Sequence, residues 1–133
     1  MNPKIWGPHG WIFLHTIGYG YPDNPTNKEQ SDAISFFNAL GTVLPCKTCS
    51  ELYIKDIKKY PIEDHVKSKT NLIKWINKMH NQVNKNLNKI QYTDIEYDKY
   101  YMNLDSSNTN ITNASYIGIL ILIFIIILIT YII

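Results

Sequence analysis

Both cysteines of this 133-residue chain fall in one short stretch, residues 44–51, which reads Leu-Pro-Cys-Lys-Thr-Cys-Ser-Glu. Proline has no amide hydrogen to satisfy and suits a first helical turn, so Pro45 predicts a helical N-terminus with Cys46 and Cys49 on one face. Free amides and the positive end of the helix dipole favour a thiolate there, and Lys47 adds a cationic neighbour. The chemistry this predicts is a dithiol that cycles with its disulfide. The spacing alone leaves two other readings open, half of a metal site or a pair of inert cysteines.

The elements that must position this pair read as helices throughout. Residues 7–20 place Trp11, Leu14, His15 and Gly18 at three- and four-residue steps, on one face. Tyr21-Pro22-Asp23-Asn24-Pro25 breaks the chain. Thr26 with Glu29 forms a capping box that opens a second helix, striped by Ile34, Phe37, Leu40 and Leu44. A third helix runs from the cysteines through Leu52 and Ile57 to about Tyr60, where Pro61 stops it. A polar link follows. A fourth helix over 69–89 carries the heptad-like stripe Leu72, Ile76, Met79, Val83 and Leu87, as an inward bundle face does. A shorter fifth helix is expected over 94–103, and residues 104–113, rich in Asn, Ser and Thr, read as a polar linker.

No segment alternates as a strand does, so the chain lacks the sheet context in which Cys-x-x-Cys serves a thioredoxin. A zinc site lacks its second half. The four histidines, His9, His15, His65 and His80, supply no close pair, and there is no further cysteine. What remains is an all-α bundle with one dithiol. A dithiol that moves electrons needs an acceptor, and the aromatic and polar residues of helices one and four could hold a flat cofactor.

Composition bounds the partners. The formal charge is +2 and all 13 cations are lysine, which argues against nucleic acid, since base reading leans on arginine forks and clustered charge. Residues 114–133 are uncharged and read Ile-Leu-Ile-Leu-Ile-Phe-Ile-Ile-Ile-Leu-Ile through their centre. As a helix they would span about 30 Å, the thickness of a bilayer's hydrocarbon core. They are expected to be a single-pass membrane anchor. Residues 1–21 hold no apolar signal-peptide core. The expected arrangement is therefore a domain at 1–103, a linker at 104–113 and an anchor at 114–133, inserted after synthesis with the domain facing the cytosol. The acidic flank at 94–113 does not support that orientation by the positive-inside rule.

Three blocks resemble a known family. Trp6-Gly7-Pro8-His9-Gly10-Trp11-Ile12-Phe13-Leu14-His15 with Tyr21-Pro22, then Pro45-Cys46-Lys47-Thr48-Cys49, then Trp75 and His80-Asn81-Gln82-Val83-Asn84-Lys85-Asn86-Leu87-Asn88-Lys89 look like the FAD-linked sulfhydryl oxidases of the Erv/ALR type. Their pattern is Gly-x-x-x-Trp-x-x-x-His, Cys-x-x-Cys and His-Asn-x-Val-Asn, in that order. The resemblance covers residues 5–101. It implies a four-helix bundle with a short fifth helix, dimeric, that binds FAD at its mouth and passes two electrons from the dithiol to oxygen, giving peroxide.

Matched position by position, Gly7, Trp11, His15 and Tyr21 fall on flavin-contacting places in the first block, and His80, Asn81, Asn84, Lys85 and Lys89 on those in the second. The resemblance places Cys49 against the flavin and Cys46 toward substrate. Where the family carries Arg-Trp this chain reads Tyr100-Tyr101, so Tyr101 keeps the aromatic place while Lys85, Lys89 or Lys99 must face the FAD phosphates. The family's structural disulfide and distal shuttle pair have no counterpart among two cysteines. Thiols would then reach Cys46 directly, which suits a small thioredoxin-like carrier. Compact members occur in large cytoplasmic DNA viruses, so host cytoplasm or virion is the expected setting. Two other classes fit the same fold, a membrane-anchored scaffold without flavin and a zinc-binding adaptor.

Overall fold

A computed structural model describes the backbone of residues 1–132 and the side chains of 1–104 and 116–127. Five α-helices and one 3-10 turn follow in order: α1 (Pro3–Gly20), α2 (Asn27–Val43), α3 (Lys47–Lys59), the turn Ile62–Asp64, α4 (Lys69–Asn86) and α5 (Asp94–Ile132). Among the described residues there is no strand. The chain divides into two compact units, Met1–Tyr97 and Asp98–Ile133.

The first unit is the expected four-helix bundle. α1 packs on α4, α2 on α3, and α3 on α4. Its core joins Phe37, Tyr53, Leu72, Trp75, Ile76 and Met79, with Ile62 and Val66 supplied by the stretch that reads from sequence as a polar link. Trp75 Nε1 donates to the Tyr60 carbonyl at 2.8 Å, so the buried indole keeps its hydrogen bond. Gly18 lets α1 approach α4 closely, since a Cβ there would sit 2.8 Å from Ile76 Cδ1.

Helix ends follow local chemistry. The capping box at Thr26 and Glu29 is present as expected, and Thr93 with Glu96 forms a second one at the start of α5. α1 begins four residues earlier than its pattern predicts, because Asn2 accepts from the Lys4 amide and Pro3 has no amide hydrogen that would need an acceptor at the first position. Pro8 causes no break so near that end. α4 stops at Asn86 rather than 89: Asn88 is left-handed (φ 54°), and its amide and that of Lys89 return to the carbonyls of Lys85 and Asn84. Leu87, expected on the inner stripe, is therefore 57% exposed beyond the helix.

Where a short fifth helix, a linker at 104–113 and an anchor from 114 were expected, one continuous helix runs over Asp94–Ile132. Asn, Ser and Thr are weak helix formers but not breakers, and no Gly or Pro occurs between 94 and 117 to end the run. The expected membrane crossing at 114–133 lies partly outside the residues whose side chains are described. Among the described residues no helix is long and apolar enough to cross a membrane.

Candidate functional site

α1 and α4 bring two histidines together. His15 is 1% exposed, and its Nε2 lies 3.1 Å from His80 Nδ1, one nitrogen donating and the other accepting. Trp11, one turn before His15, stacks face to face on His80 with centroids 3.9 Å apart and planes at 4°. Tyr97 closes the cluster, its ring 5.2 Å from each imidazole.

Burial disfavours the charged form of both rings. His15 is pushed down to about 3, by burial and then by His80, and His80 to about 4, by burial and then by the charge of Lys89. At neutral pH the pair is uncharged, so it offers polar ring edges and flat aromatic surface without positive charge.

Asn81 holds the segment after α4. Its Nδ2 donates to the Tyr92 carbonyl at 2.7 Å, and its Oδ1 accepts from the Tyr92 amide at 3.0 Å and the Tyr97 hydroxyl at 2.9 Å. Asn84 Nδ2 donates to the same hydroxyl at 3.2 Å, and Asn77 Nδ2 reaches Asp94 at 2.7 Å. Three asparagines of α4 thus fix the returning chain. Between α4 and that chain opens a cleft of about 470 Å³ lined by His80, Asn84, Asn88, Lys89, Ile90 and Tyr92. The left-handed Asn88 turns the chain so that Lys89 reaches the cleft wall.

Cys46 and Cys49 form a disulfide, with Cα atoms 5.2 Å apart. Cys46 is the N-cap of α3 rather than a residue of its first turn, because Pro45 precedes the cap; its Sγ accepts from the Cys49 amide at 3.2 Å. Both cysteines are half-buried. Among the described residues no cluster of three or more His, Cys, Asp or Glu could hold a metal ion.

Of the residues singled out from sequence, Trp11, His15, His80, Asn81 and Asn84 meet in one network, with Lys89 at its cleft. Lys85 is exposed on the last turn of α4, and Gly7 is half-buried one turn before Trp11. Tyr21 has a different setting: its hydroxyl donates to the Val66 carbonyl at 2.9 Å and its ring borders another cleft, between α1 and α2. Tyr101 belongs to the second unit, edge-on to Tyr100. Sequence reading missed Tyr97 and Tyr92. Tyr97 sits four residues after the Thr93 cap, and recognising that second capping box would have placed it on the first turn of α5.

The donor set fits a dinucleotide. Trp11 and the neutral imidazoles would offer flat surface to a ring system, and the exposed Lys85 and Lys89 would offer cations to anionic phosphates. Comparison with known proteins agrees. The Erv1 / Alr family matches over residues 8–102. A mimivirus protein of Acanthamoeba polyphaga described as a probable FAD-linked sulfhydryl oxidase is 44% identical over 85 residues, covering 63% of this chain and 59% of that protein. The mitochondrial FAD-linked sulfhydryl oxidase ERV1 of Saccharomyces cerevisiae is 33% identical over 88 residues, covering 65% and 44%. The chain thus spans about half the length of these relatives. The FAD-binding domain of Erv1 from Saccharomyces cerevisiae superposes with a TM-score of 0.72 at 28% identity, over 76% of this chain and 94% of that one.

Proposed function

The chain belongs to the Erv1 / Alr family, and from that premise we propose that it is an FAD-dependent thiol oxidase. The observation that carries this is the joint presence of the Trp11, His15 and His80 cluster beside a lysine-edged cleft and of a Cys-x-x-Cys disulfide capping α3. FAD, when bound, supplies a two-electron acceptor that is reoxidised by oxygen. The chain's own part is disulfide exchange. A substrate thiolate attacks Cys46 and releases Cys49 as a thiolate; the second substrate thiol then attacks the mixed disulfide and frees Cys46. The balance is two thiols and one oxygen to one disulfide and one hydrogen peroxide. Trp11 and His80 would hold the cofactor's ring, Asn84 would orient it by hydrogen bonding, and Lys85 and Lys89 would face its phosphates. The α3 N-terminus stabilises thiolate character at the pair.

Three finer readings belong to the same proposal. Substrates reach Cys46 directly, which favours a small thioredoxin-like dithiol carrier over bulky unfolded protein. Residues 114–133 anchor the chain in a membrane; supporting this, the described part, 116–127, is almost wholly apolar and exposed. The protein is a homodimer, and supporting that is an outward apolar surface on α1 and α2, where Phe13 is 59% and Phe36 37% exposed with rings meeting edge-on at 6.4 Å.

The test uses the full chain in mild detergent, supplied with FAD. A bound-flavin absorption band and oxygen consumption with dithiothreitol are expected. The Cys46→Ser protein should show a long-wavelength charge-transfer band from Cys49 thiolate. A chain that stays colourless with FAD sinks the oxidase reading in favour of a flavin-free scaffold, and the band appearing in Cys49→Ser instead reverses the two sulfurs' roles.

A further inference from the structure

Gly41 lies near the end of α2, where its carbonyl would look to the amide of residue 45. That residue is Pro45, which has no N–H, and the chain already leaves the helix at Leu44 (ψ 130°). Gly41 is buried, and a buried carbonyl without a donor is costly. The missing donor comes from α3: the Ser50 hydroxyl donates to the Gly41 oxygen.

The approach is possible because Gly41 has no side chain. A Cβ there would fall 2.9 Å from Ile54 Cγ1 and 3.1 Å from Tyr53 Cδ1. One turn earlier on α2 the Phe37 carbonyl accepts from the Tyr53 hydroxyl at 2.9 Å. Two hydroxyls of α3 therefore grip two carbonyls of α2. The grip at Ser50 falls on the residue next to Cys49, within the first turns after the Cys46 cap.

We propose that Ser50 is a positioning residue for the dithiol, its hydrogen bond to Gly41 holding the start of α3 in the geometry from which Cys46 and Cys49 close. The significance for turnover rests on the thiol-oxidase reading. In the disulfide state the S–S bond itself constrains this turn. Once two electrons and two protons have converted it to two thiols, that constraint is gone and the Ser50 clasp remains. It keeps the two Cα atoms near their 5.2 Å separation, inside the range a disulfide can bridge. Without the clasp the reduced turn frays, the sulfurs meet less often, and the equilibrium moves toward the dithiol.

The experiment equilibrates the full chain in mixtures of reduced and oxidised dithiothreitol, traps free thiols with a maleimide and counts them by gel shift. It compares the native chain with Ser50→Ala, Ser50→Thr and Ser50→Val. Thr keeps the hydroxyl and Val has its shape without it, so this pair decides the matter even if the alanine variant folds poorly. The expected result is about a tenfold smaller closing constant for Ala and Val, about 30 mV for a two-electron couple, with Thr close to native. Unchanged constants in Ala and Val, with melting temperatures lowered equally in oxidised and reduced forms, would mean a merely structural bond and overturn the proposal. The readout needs neither flavin nor oxygen. A shifted constant in a chain that consumes no oxygen would therefore leave the positioning role standing and remove only the oxidase reading.

Discussion

Two neutral imidazoles, His15 buried and His80 half-buried, make the cluster sensitive to acid in a defined window. An unfolded chain protonates its histidines near 6.5, whereas the folded values are about 3 and about 4. Below 6.5 the unfolded state binds more protons, so the stability tied to neutrality is fully present above that pH and is lost as pH falls, down to about 4 for His80 and about 3 for His15. The limiting slope is about 1.4 kcal/mol per pH unit for each histidine, less for the half-buried His80. Urea unfolding at several pH values between 7.5 and 4.5 should show this loss, and His15→Gln should flatten it. A variant with the native slope would place the acid sensitivity elsewhere. In the FAD-loaded chain, flavin release should track the same window, since Trp11 stacks on the ring that must stay uncharged.

At the scale of elements, α4 organises the site by what its asparagines do beyond the helix. Asn77, Asn81 and Asn84 tie down the chain that returns through Tyr92 to Tyr97, and they do so in a protein with a single disulfide inside one turn. Sequence reading expected this fold to hold without a structural cross-link, and these side-chain bonds show what joins α4 to the start of α5 instead. Asn81→Ala removes both bonds to the Tyr92 backbone and one to the Tyr97 hydroxyl. It should cost about 1–3 kcal/mol and speed hydrogen exchange at the Tyr92 amide while leaving exchange along α2 and α3 native. Equal acceleration throughout would mean global destabilisation rather than release of the cleft wall. FAD affinity should fall with it, because Lys89 and Ile90 ride on the freed segment.

The whole molecule adds two surfaces that neither helix pattern nor site chemistry uses. The apolar face at Phe13 and Phe36 would be covered by a second copy of the chain. A charge placed in a buried self-complementary contact is expensive, so Phe13→Asp should give monomers by light scattering where the native chain gives dimers. Monomeric native protein would leave that face without this occupant. The apolar run of 116–127 predicts co-sedimentation of the full chain with liposomes in carbonate wash, and release on deletion of 114–133. A full chain that stays in the supernatant would remove the anchor from the proposal.

Much of the bundle was legible from local rules, because caps, breakers and apolar steps act over a few residues. The Thr26 and Glu29 box, the stop at Pro61 and the inward set Leu72, Ile76 and Met79 all follow from neighbours within two turns. The order and spacing of Trp11, His15, Cys46, Cys49 and His80 left more than one chemistry open by themselves, and it was the resemblance they carry to the Erv/ALR family that implied a flavin-linked dithiol. Tertiary structure decided what depends on partners distant in sequence. Ile62 and Val66 look like parts of a polar link until they join the bundle core with Phe37, Tyr53 and Leu72; Tyr21 matches a flavin position, and its hydroxyl is held by the carbonyl of Val66. His15 and His80, 65 residues apart, acquire their low proton affinity only when α1 and α4 exclude water from both. Ser50 reads as an ordinary residue after a cysteine, and only the close packing permitted by Gly41 turns it into the donor that Pro45 cannot be.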